Sequence, residues 1–402
     1  MSGLLPVDEA LARLLDGAEP REAETVPLAE AAGRVLAEPL KALRTQPPFP
    51  ASAMDGYAVR AEDVAQVPAR LVVTGMAAAG KLFSGKVGKD EAVRIFTGAP
   101  VPQGADTIAI QENVKKLDGD TIEVFETVAE GRHIRAVGLD FQEGQTLLET
   151  GRVLDAAALS LAAAANHPSL PVVKKPLVAI IATGDELLPP GSTPGPDQII
   201  ASNSYGVAAI AREAGARVLD LGIAPDRAEA ISALVTKALD AEADVIVTLG
   251  GASVGDHDLV HTALTSLGME LDFWKIAMRP GKPLMSGRLG RTHCIGLPGN
   301  PVASLVCSHL FLKPLLAKLG GRPHQDHIVD AVLGAPMTEN DTRQDYVRSR
   351  IARMAGSLVA TPFSVQDSSM LKLLADAGGL VVREPFAPAA EAGDACRVLL
   401  LR

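Results

Sequence analysis

The chain has 402 residues, 47% of them hydrophobic and 21% charged. That is long for one hydrophobic core and implies about two to four ordered, globular domains. A net charge of −10 and an aromatic content of 3% argue against general binding to nucleic acid or anionic membranes, and against base-stacking platforms, so an anionic ligand would need a locally basic pocket. Cys294, Cys307 and Cys396 are odd in number and widely spaced. They suggest neither a disulfide framework nor a zinc ribbon, and they point to a reducing cytoplasm. The N-terminus has no basic region followed by an apolar core of signal-peptide length, and no run approaches the ~20 apolar residues that span a bilayer.

In chain order, apolar residues recur at helical spacing from Val7 to Leu36, which predicts two short helices. Pro39, Pro47, Pro48 and Pro50 then break the chain into an extended linker, with a domain boundary near residue 45. Short β-like runs at 71–73, 93–96, 107–110 and 121–125, separated by Gly, Pro and Asp turns, read as a small β domain. A helix over 155–166 follows. From residue 176 strands at 177–182, 217–223 and 245–249 alternate with helices at 203–214, 226–239 and 258–267, predicting a mostly parallel sheet with right-handed crossovers. Asp226 is the expected cap of its helix. Asn300 and Pro301 open another, running to about residue 319. The tail from Val329 onward is again strand-like and suggests a last β domain.

Ligands of open α/β sheets bind beyond the carboxyl ends of the strands. Three Gly- or Pro-rich loops fall in that region. The first holds Gly250, Gly251, Ser253 and Gly255, the second Arg279, Gly281 and Lys282, and the third Pro298, Gly299, Asn300 and Pro301. Glycine lets backbone N–H groups approach an anion without a Cβ in the way, and a helix N-terminus adds its dipole. Lys275, Arg279 and Lys282 flank the second loop and add positive charge. Glu186, Asp226 and Asp258 follow different strands of the same sheet, a pattern suited to Mg²⁺ shared with phosphate oxygens. His257 and His261 have the two-histidine spacing of a zinc protease helix, but aspartate replaces the glutamate beside the first histidine and is a methylene shorter. No Gly-x-Ser-x-Gly elbow, Walker A loop or Gly-x-Gly-x-x-Gly fingerprint is present.

The segment from Pro47 to Val59, containing Ser52-Ala53-Met54-Asp55-Gly56-Tyr57, resembles the signature of the molybdopterin molybdenumtransferases, the bacterial MoeA family and the gephyrin E domain. Phe96-Thr97-Gly98-Ala99-Pro100, Thr183-Gly184-Asp185-Glu186-Leu187, the three loops above and Ala303-Ser304 match in the family's order over essentially the full chain. The resemblance implies an N-terminal helical part (1–44 with 141–175), an inserted β domain (45–140), a three-layer α/β domain like the molybdopterin adenylyltransferases (176–325) and a C-terminal β domain (326–402). It implies an elongated homodimer whose cleft is shared between subunits, with Asp55, Thr97 and Asp140 acting across the interface. It also implies a reaction in which adenylylated molybdopterin and molybdate yield molybdenum cofactor and AMP, with Mg²⁺ assisting. Partners would be an adenylyltransferase and recipient apo-molybdoenzymes. The metal would rest on Glu186, Asp226 and Asp258, while Lys275, Arg279, Lys282, Arg348 and Ser368 would meet phosphate or molybdate. Arg279 stands where some relatives have lysine, and Asp367 replaces the usual glycine before Ser368. Two rival readings are an adenylyltransferase that makes the substrate from ATP and a non-catalytic scaffold like gephyrin. The first needs only the α/β domain, and the second has no need of the carboxylate set.

Overall fold

The computed structural model describes residues 4–250, 259–323, 327–354 and 356–401. The chain divides into two compact units. One comprises residues 25–32 and 38–171, and the other residues 1–24, 33–37 and 172–402.

The smaller unit is built on a six-stranded sheet with the order Thr107–Ile110, Gly56–Val59, Glu91–Ile95, Ala69–Ala77, Thr121–Val124, Val114–Lys116. Its two faces bury separate apolar sets, Tyr57, Leu71 and Ile122 on one and Ala58, Val93 and Ile108 on the other, as period-two alternation requires. The same unit carries the helix Ala156–Ala164, which Asp155 caps by accepting a hydrogen bond from the Ala158 N–H at 2.8 Å.

The larger unit is centred on a second six-stranded sheet, ordered Arg217–Ala224, Leu177–Thr183, Val245–Leu249, Thr292–Leu297, Met285–Leu289, Glu270–Trp274. The first four strands are parallel and the last two antiparallel. Leu177–Thr183 and Val245–Leu249 are buried almost throughout, as strands covered on both faces must be. Val178 and Ile180 pack with Val207 and Ala211 of the helix Asn203–Glu213 and with Phe311, Leu312 and Leu315. Ala179 and Ile181 pack on the other face with Ile231 and Val235 of the helix Ala228–Asp240 and Val260 of the helix Leu259–Ser266. Three layers result. In the C-terminal part Gln344–Met354, Ser357–Pro362, Ile328–Leu333, Ala395–Leu400 and Gly379–Arg383 pair in a closed ring, a small barrel without free edges.

Three sequence expectations change. Only the first of the two N-terminal helices forms, Val7–Leu15; residues Ala23–Pro27 are a strand and Leu28–Glu30 a single 3₁₀ turn. Asp226 is not the helix cap, a place taken by Arg227. Third, the helical run Pro301–Leu319 is long and apolar enough by length and composition to cross a membrane, with mean hydropathy 1.4, where no such run was expected. It is 72% buried inside the protein, and its middle turn, Ser308–Leu312, is π-helical.

Candidate active site

The carboxyl ends of the four parallel strands open into a cavity of about 610 Å³. Thr183, Gly184 and Glu186 reach it from the first strand, Asp226 from the second, Gly250 from the third, and Pro298 to Pro301 from the fourth. Asp226 is held by a reciprocal pair of bonds. Its N–H donates to Asp185 Oδ1 at 3.0 Å, and its Oδ2 accepts from the Asp185 N–H at 3.4 Å. This cross-strand tie takes the Asp226 carboxylate away from its own helix, which explains why it does not cap. Gly250 has φ +93°, and a Cβ there would stand 2.8 Å from the Thr183 carbonyl oxygen. Glycine is therefore required for the chain to leave the buried strand and turn into the cavity. A Cβ on Gly299 would lie 3.7 Å from Gly250 Cα, so the two loops rest directly on each other.

Ser202, Asn203 and Ser204 also line the cavity, at the N-terminus of the helix Asn203–Glu213. Asn203 Nδ2 donates to the Gly299 carbonyl at 2.7 Å. These residues were not singled out from sequence, although Ser-Asn before a helical apolar period is a helix-start signal that would have found them. The described lining contains Glu186 and Asp226 and no lysine or arginine. The expected locally basic pocket is therefore not formed by the described walls.

The cations sit elsewhere. Lys275 and Lys282 are exposed and make no ion pair among the described residues. Arg279 is committed to the barrel: its Nε and Nη2 grip Asp345 at 2.6 and 2.5 Å, and Nη1 reaches Asp341 at 3.1 Å. Arg348 is 1% exposed. Its Nε donates to Gln366 Oε1 at 3.1 Å and its Nη1 to the Asp367 carbonyl at 2.7 Å, and burial lowers its pKa. This buried guanidinium shapes the loop that meets the cavity wall. The Ser368 carbonyl accepts the Val302 N–H at 3.1 Å, and Ser368 Oγ accepts from Asn300 Nδ2 at 2.9 Å. The Asp367 carboxylate accepts the Ser369 hydroxyl and N–H at 2.6 and 2.8 Å, which hold its pKa below the usual value.

In the other unit Asp55 and Thr97 are brought together. Asp55 Oδ1 accepts both the Thr97 N–H and its hydroxyl, each at 2.8 Å. These bonds, the backbone one first, hold the carboxyl below its ordinary pKa. Asp140 is exposed on a separate loop anchored by its N–H to the Gln46 carbonyl at 3.0 Å. Gly251, Ser253, Gly255, His257 and Asp258 lie outside the described residues. His261 stacks on Trp274 with ring centroids 5.0 Å apart.

A three-layer α/β unit with an acidic, glycine-walled cavity at its strand ends belongs to the class of α/β proteins that bind a small molecule beyond the carboxyl ends of the sheet. Sequence models match along the chain: the MoeA N-terminal region (domain I and II) at residues 5–166, a probable molybdopterin binding domain at 179–318, and the MoeA C-terminal region (domain IV) at 330–401. The chain is 37% identical over 373 residues to molybdopterin molybdenumtransferase 2 of Mycobacterium tuberculosis (strain ATCC 25618 / H37Rv), covering 89% of this chain and 90% of that protein. It is 35% identical over 411 residues to the molybdopterin molybdenumtransferase of Bacillus subtilis (strain 168), covering 99% and 94%. A crystal structure of a MoeA protein from Pyrococcus horikoshii superposes with TM-score 0.86 at 30% identity, over 100% of both chains. The chain belongs to the MoeA family of molybdopterin molybdenumtransferases.

Proposed function

We propose that this chain is a transferase that inserts molybdenum into adenylylated molybdopterin, consuming molybdate and releasing AMP in the cytoplasm. One observation carries the reading: Glu186, Asp226, Gly250 and Pro298 to Pro301, from four different strand ends, line a single cavity large enough for a nucleotide-sized ligand. The family membership supplies the reaction type.

The donor set suits magnesium. Two carboxylates face the cavity without a neighbouring cation in its described lining, and Mg²⁺ is held by one or two carboxylates together with substrate phosphates. No three potential ligand side chains gather into an all-protein cage among the described residues. Glu186 and Asp226 would hold the ion, joined by Asp258. When bound, the ion would neutralise charge on the pyrophosphate and on molybdate. The loop N–H groups and the N-terminus of the helix Asn203–Glu213 would orient the phosphates, while exposed Lys275 and Lys282 add attraction for the anion. We propose that the active form is a homodimer in which Asp55, Thr97 and Asp140 of one subunit complete the cavity of the other.

Purified protein supplied with magnesium and molybdate should release AMP from adenylylated molybdopterin. The Asp55→Ala variant should keep its fold by circular dichroism and lose turnover. Adenylylation of molybdopterin from ATP, without AMP release, would replace this reading with that of an adenylyltransferase.

A further inference from the structure

Arg94 in the strand Glu91–Ile95 makes contacts that the site described above does not account for. Its guanidinium carbon lies 5.0 Å from the Tyr57 ring centroid and 4.8 Å from that of Phe96. Two aromatic faces restrict a side chain that would otherwise have many rotamers. Nη1 donates to the Gly56 carbonyl at 2.9 Å and Nη2 to Gln111 Oε1 at 2.7 Å. The Gln111 N–H in turn donates to the Asp55 carbonyl at 3.1 Å. Gly56 lets the strand Thr107–Ile110, which leads into Gln111, pack close against it, because a Cβ there would stand 2.1 Å from the Ala109 carbonyl oxygen.

Asp55 is thus fixed from three directions. Thr97 holds its carboxylate, Gln111 holds its own carbonyl, and Arg94 holds the next carbonyl while bracing Gln111. Both Thr97 bonds fall on Oδ1, and Oδ2 accepts no bond among the described residues. The two Thr97 bonds do most to favour the ionised form of Asp55, and the charge of Arg94 adds a smaller contribution in the same direction. Here a cation stacked on two rings holds the peptide that follows a half-buried carboxylate.

We propose that Arg94, clamped on Tyr57 and Phe96, is a positioning residue that fixes the Asp55 carboxylate and keeps a positive charge beside it during the transferase reaction. This rests on the reading of Asp55 as part of the working site. A misplacement of a reacting group by about 1 Å costs up to a hundredfold in rate.

The test compares the full-length wild type with Arg94→Met, Arg94→Lys, Gln111→Leu and Asp55→Ala in AMP release from adenylylated molybdopterin, across the acid pH range. Arg94→Met should lower kcat by about ten- to a hundredfold with KM for molybdate little changed. Its acid limb of kcat/KM should move to higher pH, because loss of the cation lets the depressed Asp55 pKa rise. Arg94→Lys, which keeps the charge without the planar fork, should lose rate while holding the limb in place. Wild-type rate and limb in Arg94→Met, beside an inactive Asp55→Ala, overturn the positioning role and leave the function standing. A slower Arg94→Met with an unmoved limb marks a merely structural arginine and also overturns it. Full activity in Asp55→Ala removes the reading beneath it. If Arg94→Met does not fold, Gln111→Leu and Arg94→Lys decide, and unchanged rates in both overturn the proposal.

Discussion

Asp55 and Thr97 stand 42 positions apart yet meet at 2.8 Å, and the sequence named both without being able to say that one carboxylate oxygen takes both donors. The arginines show the reverse. Arg279 and Arg348 read as ligands for an oxyanion, but the structure commits them to Asp345 and Asp341 and to Gln366 and the Asp367 carbonyl. A list of basic residues carries no information on which carboxylate folds against each, since the partners of Arg279 lie more than sixty residues away. Buried histidines escaped notice for the same reason. His293, 4% exposed in the strand Thr292–Leu297, is pushed down to about 4 by burial and by Arg288. Its folded-state pKa lies below the unfolded value, so the native state resists protonation. Stability present above about pH 6.5 is lost as pH falls toward 4, because the unfolded chain binds the proton first. From pH 7 to pH 5 this group should remove about 2 kcal/mol. Urea midpoints measured at both pH values should show the loss, and His293→Gln should flatten it.

The helices and strands that carry a clean period were legible before any coordinates, and those under local conflict were not. The strands Leu177–Thr183 and Val245–Leu249 and the helix Asn203–Glu213 lie within a residue or so of their expected bounds. The second N-terminal helix failed because Pro27 precedes its apolar run and Gly33, at φ +69°, ends it, leaving room for one 3₁₀ turn. The last two strands of that sheet, Met285–Leu289 and the edge strand Glu270–Trp274, were not part of the predicted alternation either. Their antiparallel pairing needs no crossover helix and so breaks the alternation that marked the others. The structure shows a side-chain cap at Asp155 that the sequence reading did not name, and its worth can be measured. Asp155→Ala removes the acceptor for the Ala158 N–H and should cost about 1 kcal/mol. The loss should appear as a lower denaturant midpoint with an unchanged slope, and Asp155→Ser should recover most of it.

The chain folds as two units, each with its own core, and the candidate groups are split between them: Asp55, Thr97 and Asp140 in one, Glu186, Asp226 and Gly250 in the other. A homodimer with a shared site makes a prediction that no single-subunit enzyme shares. Asp55→Ala and Glu186→Ala proteins, each inactive alone, should regain about a quarter of wild-type activity when mixed and allowed to exchange subunits, since half the dimers are mixed and each has one intact site. No recovery in a mixture shown by mass spectrometry to contain mixed dimers would remove the shared site. The buried run Pro301–Leu319 teaches a related lesson, because hydropathy alone does not say whether an apolar helix faces lipid or protein. Here Leu312, Leu315 and Leu316 are fully buried in the core beside the Val178 strand.

Sequence by itself determined the family and the alternation of strands and helices, and it pointed to Gly250 and the turn from Pro298 to Pro301 that line the cavity. Those properties rest on local periods, on glycines that permit special turns, and on motifs a few residues long. Only the tertiary structure decided that the described cavity wall is acidic, that Arg279 is tied to the barrel, and that Arg94 grips the peptide after Asp55. Each of these is a contact between residues distant along the chain, set by how sheets and helices pack rather than by any pattern within one segment.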